Sequence, residues 1–164
     1  MSTDHLVSSL AKLGTEFEVI PCDPELADTA EFCAAYGYDL EDSANTILVV
    51  GKRDPRVYVA CIVLATTRLD VNGAVRKRLG IRRTSFASAD ETMTVTGMTI
   101  GGVTPFGLPD DLPIWIDKRV MGRERIVLGG GSRDRKVLAA PTILESLPNV
   151  EIVSQLAQPM DPVG

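Results

Sequence analysis

Histidine is almost missing from this chain: His5 is the only one in 164 residues. A catalytic triad built on histidine would have to recruit it from what reads as a terminal helix, away from the rigid shell that a triad base needs. His5 therefore reads as a surface or capping residue. With no second histidine and no Cys-x-x-Cys pair, a zinc site of ordinary ligand type has almost nothing to draw on, and no metal is expected. Cysteine is scarce too. Cys22, Cys33 and Cys61 are odd in number and widely spaced, which argues against a disulfide framework and for a reducing cytoplasm. Their ordinary role is that of small buried apolar residues. No apolar run approaches the roughly 20 residues of a membrane span, and Met1 to Gly14 lacks the basic-then-apolar order of a signal peptide. The Gly-x-Gly-x-x-Gly fingerprint is absent, and Gly129-Gly130-Gly131-Ser132 is without the Lys-Ser/Thr of a P-loop. Neither a dinucleotide nor ATP is indicated, and no cofactor is called for.

What is present fits one domain over residues 1–164, with 45% hydrophobic and 24% charged residues, ordinary for a soluble globular protein. The net charge of −5 hides a division. Residues 1–50 hold ten acids against Lys12 alone, a balance of −9; residues 51–136 hold sixteen bases against nine acids, a balance of +7; the tail returns to −3. The basic middle falls into three clusters: Arg76, Lys77, Arg78, Arg82 and Arg83; Lys118, Arg119, Arg123 and Arg125; and Arg133, Arg135 and Lys136. One cluster alone is a solvated face. Three of them beside glycine-rich turns could form a concave surface that reads phosphates by charge.

Those turns are Gly101-Gly102-Val103-Thr104-Pro105-Phe106-Gly107 and Gly129-Gly130-Gly131-Ser132-Arg133. Glycine admits close backbone approach, and Pro105 stiffens the first turn. Either turn taken singly is a connection between elements. Two in one small domain suggest a pocket lined by main-chain amides and carbonyls.

Periodicity predicts a helix over 2–13, with Leu6, Leu10 and Leu13 on one stripe, and another over 28–36 that stops at Gly37. Strands are expected at 17–21, 46–50, 57–65, 113–117, 126–128 and 150–153. The segment 57–65 is apolar almost throughout and should lie centrally in a sheet. Helices are expected over 70–79, ending at Gly80; from Ser88, where Glu91 completes a capping box, to before Gly97; and over 141–147 behind Pro141. Strands and helices interleave without strict alternation, so a mixed α/β fold is expected, with a largely antiparallel sheet surrounded by helices.

The run Gly97 to Gly107 resembles the Gly-x-x-x-Pro segment of the YbaK/EbsC family. Leu69-Asp70-Val71 with its basic helix, Pro113 to Asp117, Val127 to Arg133, Ala140-Pro141, and Asp28-Thr29-Ala30 leading into Ala34-Ala35-Tyr36-Gly37 resemble other segments of that family in the same order. The resemblance covers about residues 16–155. It implies an aminoacyl-tRNA deacylase related to the editing domain of bacterial prolyl-tRNA synthetase. Such a protein acts without a metal on a small amino acid, such as alanine or cysteine, esterified to tRNA for proline.

The same resemblance implies a site in which Asn45, Gly101 and Thr104 act on the ester. Thr46, Gly102, Pro105, Gly129, Gly130, Gly131 and Arg133 would bind substrate, while Arg76, Arg78 and Arg83 would meet tRNA phosphates. The two glycine turns would then face one another across one cleft with Asn45 on its floor. Aminoacylated tRNA is the implied partner, with prolyl-tRNA synthetase as a docking partner and no membrane. The chain departs from the family at Asn45, which stands where the family has a lysine. An amide offers weaker donors than a cation, and Lys52, seven residues on, would lie over 20 Å away along an extended strand. Two readings stay open: a hydrolase, or a module that binds an aminoacyl-tRNA or nucleotide ester without cleaving it.

Overall fold

The computed structural model describes residues 5–99 and 102–159. In chain order the elements are α1 (His5–Ala11), β1 (Phe17–Pro21), α2 (Thr29–Tyr36), β2 (Ala44–Gly51), β3 (Val57–Leu64), β4 (Thr67–Leu69), α3 (Arg76–Leu79), β5 (Thr84–Phe86), α4 (Ala89–Thr96), β6 (Ile114–Asp117), α5 (Lys118–Met121), β7 (Ile126–Gly129), β8 (Arg135–Ala139), β9 (Val150–Val153) and β10 (Ala157–Pro159). The main sheet has the order β5-β2-β3-β6-β9. Its β5/β2 and β2/β3 pairs are antiparallel, and its β3/β6 and β6/β9 pairs are parallel. A second sheet, β1-β8-β7, is wholly antiparallel, and β10 pairs antiparallel with β4.

Alternation along the central strands divides the core. Ala60, Ile62 and Leu64 of β3 pack with Leu48, Ile114 and Ile116 into the larger cluster, shared with Ile126, Leu128 and Val137 of the second sheet and Leu6 and Leu10 of α1. Val59, Cys61 and Val63 face the other way, onto Val71, Val75, Trp115 and Leu156. β3 is buried on both faces, which is why its sequence is apolar without interruption. A third cluster joins Phe32 and Cys33 of α2 to Val127, with Ile20 and Leu138 against it. The second sheet thus has one face on the main core and the other under α2.

Several expected elements differ in form. The segment 141–147 winds as a 3-10 helix over Pro141–Ser146. The segment 70–79 opens with a wide turn, Val71–Val75, because the Asp70 carboxylate accepts from the N–H groups of Gly73 and Ala74, each at 3.1 Å. The terminal helix is described from His5, its expected first residues 2–4 lying outside the described part. β8 was not expected at all, and it carries a residue of the site.

Candidate functional site

Where β2 runs beside β7, linked by a parallel bridge between Ser43 and Val127, α2 covers the seam. Cys33 of α2 fixes this cover through a 3.1 Å hydrogen bond between its Sγ and the Ser43 Oγ. A cavity of about 240 Å³ opens there, bounded by Asp28, Thr29, Asn45, Thr46, Gly129 and Lys136 among others. It falls below the roughly 300–1,000 Å³ of pockets for drug-sized ligands, so it suits a fragment the size of a small acyl group. A whole nucleotide would not fit inside it.

Three polar residues of this wall have hydrogen-bonding capacity in hand. The Thr29 hydroxyl donates to Asn45 Oδ1 at 2.8 Å, which leaves the Asn45 amide N–H groups directed elsewhere. The Thr46 Oγ1 atom is buried and has no partner among the described residues. Lys136 is 6% exposed. Its Nζ donates to the Ala27 carbonyl at 2.5 Å and sits 5.6 Å from the centre of the Phe32 ring. Burial is the main reason its ammonium is held below the ordinary lysine range. The nearby Asp28 carboxylate is engaged by Arg133 at 3.3 Å, and no described carboxylate forms an ion pair with Lys136.

The glycine turns meet by direct contact. The Gly131 N–H donates to the Gly102 carbonyl at 2.7 Å. A Cβ on Gly102 would lie 2.8 Å from the Ser132 carbonyl carbon, and one on Gly129 would lie 2.1 Å from the Val103 oxygen. Glycine is required here because two backbones cross, and no cleft separates them. Of the expected site residues, the structure brings Asn45, Thr46 and Gly129 to the cavity. Gly102, Gly130 and Pro105 are not on its wall. Gly131 and Thr104 line a separate cavity of about 320 Å³ with Leu6 and Phe106. Arg133 reaches back to the Pro24 carbonyl at 3.1 Å and to Asp28. Gly101 lies outside the described residues.

The expected phosphate contacts divide as well. Arg76 and Arg83 line an open cleft of about 500 Å³ with Lys52 and Arg82, near the Gly51 end of β2 and roughly 20 Å along the strand from Asn45. Arg78 stands apart. It is ion-paired with Glu151 and lies over the Trp115 ring, 5.1 Å from its centre.

Sequence reasoning overlooked Lys136, which its neighbours Arg133 and Arg135 made look like part of a solvated basic run. The signal lay in the apolar Val137-Leu138-Ala139 that follows. Extended as a strand, this places Lys136 on the same face as Leu138, toward Phe32 and Cys33. No described helix is long and apolar enough to cross a membrane.

Comparison with solved structures gives the fold a context. A structure of "a putative trans-editing enzyme for prolyl tRNA synthetase" superposes with a TM-score of 0.81 at 21% identity, covering 98% of this chain and 99% of that one. A hypothetical protein superposes at 0.79 and 21% identity, covering 89% and 96%. In a signal transduction protein assignment from Marinobacter aquaeolei VT8 the same fold forms part of a larger chain, at 0.61 and 18% identity, covering 92% of this chain and 30% of that one. The family model of the aminoacyl-tRNA editing domain matches residues 23–147, a span that holds α2, β2, β7, β8 and every residue named on the cavity wall. The chain belongs to the aminoacyl-tRNA editing domain family.

Proposed function

We propose that this protein is a trans-acting editing hydrolase that removes a small amino acid, such as alanine or cysteine, from mischarged tRNA for proline. The observation that carries this reading is the small polar cavity beside Asn45, Thr46 and Gly129, inside a chain of the editing-domain family. Its volume admits an acyl group and leaves the adenosine at the mouth. Asn45, held through Oδ1 by Thr29, offers amide N–H groups to the ester, and beside it Thr46 carries a buried hydroxyl with no partner among the described residues.

In the reaction, the oxygen of a water molecule bonds to the ester carbonyl carbon, and the carbonyl π pair moves onto oxygen. When that oxygen re-forms its double bond, the ribose oxygen leaves with the acyl–oxygen electron pair and takes up a proton released by the attacking water. The neighbouring ribose hydroxyl is placed to relay this proton. The products are a free amino acid and an uncharged tRNA. Fixed donors around the carbonyl favour the developing negative charge over the neutral ester, the condition for rate acceleration. The basic cleft at the far end of β2 is suited to the sugar-phosphate backbone of the same tRNA, and prolyl-tRNA synthetase is the docking partner this reading names.

The test is loss of labelled amino acid from alanyl-, cysteinyl- and prolyl-tRNA for proline. Release of alanine or cysteine with prolyl-tRNA left intact is the expected result. Stable binding of all three without release would replace the hydrolase with a binding module.

A further inference from the structure

Lys136 is the only cation on the cavity wall among the described residues, and its surroundings compensate it incompletely. An ammonium has three N–H donors and no acceptor. Here one is engaged by the Ala27 carbonyl, while the Phe32 ring offers its face to the charge. The charged and titratable groups that act on it most are Cys22, Arg133, Asp28 and Cys33; the Asp28 carboxylate is shared with Arg133. Burying a charge without an ionic partner is costly unless something at the site makes use of it. Thr46, whose buried hydroxyl has no partner among the described residues, is a residue of the same wall. A buried ammonium on this wall, with N–H donors left over after Ala27, points to a ligand that brings oxygen acceptors.

Resting on the reading of this cavity as an aminoacyl-ester site, we propose that Lys136 is its catalytic cation, contacting the acyl carbonyl oxygen and stabilising the oxyanion formed when water adds. The ammonium keeps its protons throughout. Its role is to pair with the charge on oxygen until the ribose oxygen departs. The positive charge absent at position 45 is thereby supplied from β8. Asn45 and Thr46 complete the donor set.

The experiment compares wild type, Lys136→Met and Lys136→Ala in single-turnover deacylation of alanyl-tRNA, in thermal unfolding, and in binding of a non-hydrolysable 3′-alanylamide of adenosine. Loss of one oxyanion donor lowers rates by about 10²–10³, and that loss is expected in Lys136→Met together with an unchanged or higher midpoint of unfolding, because a buried charge without an ionic partner has been removed. A group that only ties down Ala27 would give the reverse: a lower midpoint and a rate near wild type, which overturns the proposal. If rate and midpoint fall together, ethylammonium added to Lys136→Ala decides: recovery of rate supports the proposal, and no recovery overturns it. Should wild type bind the analogue without hydrolysing the ester, the hydrolase reading fails separately. Affinity then carries the test, a tenfold loss in Lys136→Met supporting a ligand contact and equal affinity overturning it. A wild type that neither hydrolyses nor binds overturns both.

Discussion

Asn45 and Lys136 line one small cavity, and this pairing decides what substitution at either should do. A lysine at position 45 would bring a second ammonium into a space that already holds an incompletely compensated one. Like charges at close range in a desolvated site repel strongly. Asn45→Lys is therefore expected to abolish deacylation, and Asn45→Ala, which removes amide donors without adding charge, to lower it about tenfold. Single-turnover rates for both variants check this; rates equal to wild type in both would remove Asn45 from the site. Asn45 and Thr46 came into view through the family resemblance, and Gly129 through its glycine-rich turn. Lys136 did not, since charge alone grouped it with Arg133 and Arg135. In the fold, β8 lies between β1 and β7, and its pairing sets Lys136 opposite Gly129 on the cavity wall.

Elements with local start and stop signals were the readable ones. α4 begins at a capping box in which Ser88 Oγ accepts from the Glu91 N–H at 3.0 Å and Glu91 accepts from the Ser88 N–H at 3.2 Å. It ends at Gly97, whose φ of 74° suits glycine. Ser88→Ala should cost about 1 kcal/mol in chemical denaturation. Glu91 also accepts from Tyr58 and Arg56, and the Ser88 backbone hydrogen bond is the main cause holding its carboxyl below the ordinary range. A lowered folded value means that the ionised group stabilises the fold fully above the ordinary carboxylate range. That stabilisation is lost as pH falls from there through the folded value. Glu91→Gln should flatten this acid limb of a stability–pH profile, and an unaltered limb would contradict the assignment. The glycine crossing tests packing in the same way. In Gly129→Ala the new methyl meets the Val103 carbonyl oxygen, so destabilisation of about 1–3 kcal/mol is expected, read from the unfolding midpoint. Short strands such as β4, β5 and β10 were illegible because partners distant in sequence define them.

At the scale of the whole molecule, the mixed sheet followed from strands and helices that interleave without a fixed order. The β3/β6/β9 parallel run depends on long-range register that no local pattern carries. The charge division acquires a geometry: Lys52, Arg76, Arg82 and Arg83 gather at one end of β2, while the cavity lies toward the other. Charge reversal at Arg76 and Arg83 should weaken tRNA binding and lower its salt slope by about one for each lost phosphate contact. Reversal at Arg78, already paired with Glu151, should change the slope less. Equal effects at all three positions would mean that the cleft has no special part in binding. The central claim is that an aminoacyl ester occupies the cavity between β2, β7 and α2. Its most direct test is a nuclear magnetic resonance titration of the isotope-labelled protein with the 3′-alanylamide of adenosine. The account predicts shifts at the Asn45 side-chain amide and at the backbone amides of Thr46 and Gly129; shifts confined to the Lys52–Arg83 cleft, or absent altogether, would contradict it.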